Sequence, residues 1–307
     1  MGAHHHHHHH HGHAAPDPTS RAFAVGVVLN FIFVAVEVIY GLRANSLSLL
    51  ADAGHNFSDV IGLLLAWWAM LLARRAPSEQ FTYGLRSSTI LAALGNAMLL
   101  VLAVGGIVWE ALHRLAQPET VSEQTMMGVA AVGVVINVAT ALMLLRGNTR
   151  DVNLRAAFVH MLADALVSVG VVLAGAGIYW TGWLWLDPAI SLVVAVVIFA
   201  GTWGVLKTSL RLSLHAVPEH INSADVQTYL EAIPGVEGAH DLHIWGMSTT
   251  EAALTVHLVM PEGHPGDAFL ADLAEKLHQR FHVEHATFQI ELGNEGIACR
   301  LAPEEVV

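Results

Sequence analysis

The 307-residue sequence holds a single cysteine and little charge: Asp, Glu, Lys and Arg make up 13% of it, against about a quarter in a soluble globular domain. A lone Cys299 excludes an intramolecular disulfide framework and any CxxC metal site. Lysine is nearly absent too, two against twelve arginines. No His-Glu-x-x-His string exists, which removes the usual setting of a metal-dependent hydrolase. Apolar residues are plentiful, at 54% with a mean hydropathy of +0.52, so most of the chain belongs in lipid.

The net charge of −12 and the 21 histidines are unevenly placed. Residues 1–212 carry 11 acidic and 11 basic side chains, whereas 213–307 carry 15 acidic and 3 basic, so all the excess is C-terminal. Nine histidines fall in the first 13 residues, three in the apolar part (His55, His113, His160) and nine in the acidic part. So acidic a domain suits cations and argues against nucleic acid as a partner.

Apolar runs of about 20 residues predict six membrane spans, at Arg21–Leu42, Ser46–Ala73, Ser87–His113, Thr125–Leu145, Val152–Tyr179 and Pro188–Leu212. No cleavable signal peptide precedes the first, so it is expected to act as its own insertion signal. Nine Lys and Arg residues on one side of the spans against two on the other put both termini in the cytoplasm. Tyr40, Trp109, Tyr179, Trp180, Trp183 and Trp185 fall at the outer ends as an interfacial belt, while Trp67, Trp68 and Trp203 read as packing residues.

A carboxylate near the bilayer centre costs roughly 2.5–3.5 kcal/mol on insertion scales, so it is kept where it is paired or used. The second span has His55 and Asp59, and the fifth has His160 and Asp164, the same His-x-x-x-Asp spacing twice. Residues four apart share a helix face about 6 Å apart. Laid antiparallel, the two helices set His55 level with Asp164 and Asp59 level with His160, near the midplane. One such pair reads as well as an interhelical hydrogen-bond clamp; two matched pairs at one depth point to a four-ligand site for a tetrahedral divalent ion, above all zinc. Asp52 lies on roughly the same face as His55, as an outer ligand or a helix–helix hydrogen bond. Glu37, Asn30 and Asn137 favour the hydrogen-bonding role, and His113 sits at an outer helix end.

On these features the sequence resembles the cation diffusion facilitator family of divalent-metal exporters, in particular its zinc-type members. The paired motifs, the string Ser46–Asp59 and the segment His240-Asp241-Leu242-His243-Ile244-Trp245 carry the resemblance. It implies a homodimeric Zn2+/proton antiporter, with His at position 55 favouring zinc over cadmium. It also implies a metal site in the cytoplasmic domain at His240, His257 and Glu291, with Gln289 where some members place a histidine. The additional site some members have between helices 2 and 3 is expected to be missing, because 74–86 contains no His or Asp and one Glu.

The expected organisation is a His-rich cytoplasmic tail (1–20), a six-helix transmembrane domain (21–212), an α-β-β-α-β ferredoxin-like cytoplasmic domain for metal binding and dimerisation (213–295) and a short tail (296–307). Periodicity predicts helices at Ser223–Ala232 and Asp267–Phe281 and strands at Val236–Trp245, Glu251–Met260 and Ala286–Leu292, with Phe288, Ile290 and Leu292 facing inward. The run His4–His11 reads equally as an expression tag or a native metal-gathering tail, and Cys299 as a bystander. Zn2+ is the expected cargo and regulatory ligand, with Cd2+ and Co2+ as further candidates for cargo, and the arginine-rich composition favours a bacterial inner membrane. An intramembrane metal hydrolase and a passive channel or metal sensor are the competing readings.

Overall fold

The computed structural model describes residues 21–145 and 152–293, with Cys299 and Leu301 beyond them. The His4–His11 run and the segment 146–151, with Arg146 and Arg150, lie outside the described residues, as does most of the C-terminal tail. Six helices come first: α1 (Arg21–Ala44), α2 (Leu47–Ala73), α3 (Ser88–Ala116), α4 (Glu123–Leu145), α5 (Val152–Thr181) and α6 (Leu186–Ser213). The C-terminal part then runs α7 (Ser223–Glu231), β1 (Gly238–Gly246), β2 (Ala252–Val259), α8 (Asp267–Phe281) and β3 (Val283–Glu291). Among the described residues five helices, α2–α6, are long and apolar enough to cross a membrane. The chain is therefore a helical membrane protein with five candidate spans and a C-terminal domain built on a small sheet.

The described residues fall into two compact units, one within 1–60 and 107–195 and the other within 61–106 and 196–307, so α2, α3 and α6 each contribute to both. Polarity is inverted relative to a water-soluble fold. Glu37, Asp52, Asn56, Asp164, Ser168 and Asp187 are buried, while leucines and tryptophans face outward, as lipid allows. Trp67, Trp68 and Trp203 are 43%, 57% and 53% exposed, and the Trp203 ring packs against Phe199 with centroids 5.5 Å apart.

In the first unit, a buried carboxylate organises the start of α2. Asp187, beside Pro188 in the first turn of α6, accepts hydrogen bonds from Ser46 Oγ (2.8 Å), Leu47 N (2.8 Å), Ser48 N (3.1 Å) and Ser48 Oγ (2.6 Å). It thus satisfies the amides that a helix N-terminus leaves open. Close approach of α4 and α5 depends on Gly175, where an added Cβ would lie 2.6 Å from Met127 Cγ and 3.3 Å from the Glu123 carbonyl. Around it pack Leu49, Met126, Ala130, Val171, Ala174 and Ile178.

In the C-terminal domain the strand order is β1-β2-β3, β1 antiparallel to β2 and β2 parallel to β3. Alternate residues of β2, Ala252, Leu254, Val256 and Leu258, face Val226 and Leu230 of α7 and Leu273 and Leu277 of α8, which leaves Thr255, His257 and Val259 on the opposite face. Phe288 and Ile290 join that core. Leu292 does not: it follows the end of β3 and is 45% exposed, because the pleat that would turn it inward has stopped.

Candidate metal centres

The first cluster uses the i, i+4 geometry of two helices. His55 and Asp59 lie on α2, His160 and Asp164 on α5. Across the helices His55 Nε2 is 3.3 Å from Asp164 Oδ1 and His160 Nε2 is 3.1 Å from Asp59 Oδ2; within them the His–Asp distances are 3.8 and 3.6 Å. All four residues offer a ligand atom within 4.8 Å of the others. The Asp164 side chain is only 4% exposed, against 44% for His160. Asp164 Oδ2 and His55 Nδ1 are buried without a hydrogen-bond partner. Two imidazoles and two carboxylates converging on one point are a donor set that can hold one tetrahedral divalent ion.

Asp52 is fully buried and accepts from Ser168 Oγ at 2.9 Å, tying α2 to α5; Glu37 accepts from Asn56 Nδ2 at 3.1 Å, tying α1 to α2. Both carboxylates serve helix–helix hydrogen bonds, and neither belongs to the four-residue group. Asn137 is buried with an unpartnered amide nitrogen, and His113 is exposed. The side chain of Asn30 lies outside the described residues.

The second cluster is laid across the sheet. His240 stands directly opposite His257 in the antiparallel pair, and β3 brings Gln289 level with His257 and Glu291 level with Val259. His240 Nε2 is 3.0 Å from Glu291 Oε2, and His257 Nδ1 is 3.0 Å from Glu291 Oε1. Gln289 donates to Glu291 at 2.9 Å. Burial would lift the Glu291 carboxyl, but hydrogen bonds from Cys299, Gln289 and His240 outweigh it and hold the group below its usual value. Two members were not legible in the sequence as site residues. Cys299, expected as a bystander, places its Sγ 3.6 Å from His257 Nδ1 and belongs to the four-residue group His240, His257, Glu291, Cys299. Asp241 sits in a β-bulge with a left-handed backbone, φ 51°, and its carboxylate is 3.4 Å from His257 Nε2 and 2.9 Å from His243 Nε2. Of the remaining histidines, His285 packs edge-on to Tyr83 and His264 accepts from the Gly266 amide.

Comparison with known proteins agrees with this layout. Residues 23–212 match the cation efflux transmembrane domain and residues 218–292 the cation efflux protein cytoplasmic domain. The metal cation efflux system protein CzcD of Cupriavidus metallidurans is 35% identical over 293 residues, 95% of this chain and 91% of the relative. The zinc transporter ZitB of Escherichia coli is 36% identical over 271 residues, 88% of this chain and 86% of the relative. A cadmium, cobalt and zinc/H(+)-K(+) antiporter of Bacillus subtilis is 33% identical over 274 residues, 86% of this chain and 88% of the relative. These relatives are transporters by name and not enzymes; together with the two domain matches they show that the chain belongs to the cation diffusion facilitator family of metal cation efflux transporters.

Proposed function

We propose that the chain exports Zn2+, with Cd2+ and Co2+ as further cargo, from the cytoplasm across a bacterial inner membrane in exchange for protons. The observation that carries this reading is the cluster of His55, Asp59, His160 and Asp164, four ligand atoms within 4.8 Å on two helices long and apolar enough to span a membrane. Two imidazoles and two carboxylates suit a tetrahedral zinc ion and balance its charge. Asp52, bonded to Ser168 of α5, supports that cluster from behind. In this reading α1 is the sixth span, both termini are cytoplasmic and the protein is a homodimer. The acidic domain, residues 213–295, dimerises and senses metal through His240, His257 and Glu291.

The exchange follows from the ligand chemistry. Zinc needs neutral imidazoles and ionised carboxylates, so protons and zinc compete for the same groups, and imidazole makes that exchange near neutral pH. When the site opens inward, zinc displaces protons; when it opens outward, external protons displace zinc. The relatives' names, a zinc transporter and an antiporter that handles protons, support this cargo and coupling. The test is zinc uptake into everted vesicles with and without an imposed proton gradient. The parent accumulates zinc only with the gradient. Asp164→Ala falls below about a tenth of the parental rate, the loss that ~1.4 kcal/mol of ion binding represents. Gradient-independent flux would make the protein a channel and overturn the antiport.

A further inference from the structure

We infer that Cys299 is the fourth ligand of the cytoplasmic cluster, which makes it a closed site of two histidines, one glutamate and one cysteine for a thiolate-seeking divalent cation, zinc or cadmium. This rests on reading that cluster as a metal site, and adds to it a sulfur ligand and an orienting carboxylate, Asp241.

The geometry carries the assignment. Bonds of about 2.1–2.3 Å to a tetrahedral zinc put neighbouring donor atoms roughly 3.4–3.8 Å apart. His240 Nε2 to Glu291 is 3.0 Å, His257 Nδ1 to Glu291 is 3.0 Å, Cys299 Sγ to His257 Nδ1 is 3.6 Å, and all four residues offer atoms within 4.8 Å of one another. The two imidazoles stand edge to face with centroids 5.1 Å apart, as rings converging on one point do.

Asp241 stands behind His257. Its carboxylate lies 3.4 Å from Nε2, across the ring from Nδ1, the nitrogen that faces Glu291 and Cys299. A carboxylate behind a metal-bound histidine fixes the ring and raises its basicity. The left-handed backbone at Asp241, φ 51°, and the bulge between His240 and His243 are what aim that carboxylate; backbone strain of this kind gathers at functional sites. Coordination replaces the Cys299 S–H bond with an S–metal bond and passes the proton to solvent, with no redox change. The ion then ties Cys299, eight residues beyond the last residue of β3, to the two histidines of the sheet.

Because the chain has one cysteine, cobalt(II) reports on it alone. The full-length protein in detergent is titrated with Co2+ and read for the near-ultraviolet thiolate-to-cobalt charge-transfer band. The wild type is expected to show the band, Cys299→Ser to lose it while keeping visible tetrahedral d–d absorption, and His257→Ala to lose it as well. Asp241→Asn keeps the band but weakens cobalt affinity by about 10- to 100-fold. A wild type whose d–d absorption depends on His257 but lacks the charge-transfer band overturns the cysteine ligand and leaves the cytoplasmic metal site standing. Loss of neither signal in His257→Ala overturns both.

Discussion

At the residue scale, buried carboxylates in the first unit divide by what faces them. Asp164, like Glu37 and Asp52, keeps an oxygen without a hydrogen-bond partner, but it alone of the three lies between two histidines as the proposed ion site requires, whereas Asp187 is saturated by four donors at the start of α2. Asp187→Ala strands buried amides and hydroxyls, at about 1–3 kcal/mol for a buried group left unsatisfied. The protein in detergent is expected to melt at a lower temperature, with Asp187→Asn, which keeps an acceptor, in between; an Ala variant that melts with the parent would refute the clamp. The sequence showed the His-x-x-x-Asp pairs because a helix turns i and i+4 into neighbours. It held no such signal for Asp187, whose partners lie from 139 to 141 residues away along the chain, nor for Asp241, whose role depends on a bulge.

At the element scale, close helix contact tells one glycine from another. At Gly175 an added side chain meets Met127, which can bend, and the Glu123 carbonyl, which cannot. Gly175→Val should therefore separate α4 from α5 and cost about 1–3 kcal/mol. Gly128, with open space around its Cβ position, should accept alanine with no loss of melting temperature, and parallel melting of the two variants sets the contrast. The element order was readable throughout, since helical runs of about 20 apolar residues and the period-2 pattern of Leu254, Val256 and Leu258 leave little choice. Strand ends were less readable: Leu292 fits the alternation, yet the strand stops at Glu291. Cys299 escaped notice because no periodicity links it to the sheet it reaches.

At the scale of the whole molecule, charge and chemistry are separated along the chain. Fifteen acidic residues against three basic ones beyond position 212 set up a field that draws cations toward the C-terminal domain. Stopped-flow zinc binding to the chain lacking residues 2–13 should slow as ionic strength rises from about 0.01 M to 0.15 M, where the screening length shrinks from about 30 to 8 Å, with little change in dissociation. A salt-independent association rate would remove the field from the account. The clamp at Asp187 also bears on the export cycle proposed above. It holds Ser46, Leu47 and Ser48, and at about 1.5 Å per residue His55 lies about 10 Å and Asp59 about 16 Å along α2 from Ser48. A fixed end makes the helix a lever: once the Asp52–Ser168 and Asn56–Glu37 bonds part, swinging it by about 10° would carry His55 roughly 2 Å and Asp59 roughly 3 Å. Metal bonds tolerate a few tenths of an ångström, so a small rotation about one pinned end would suffice to let an ion go.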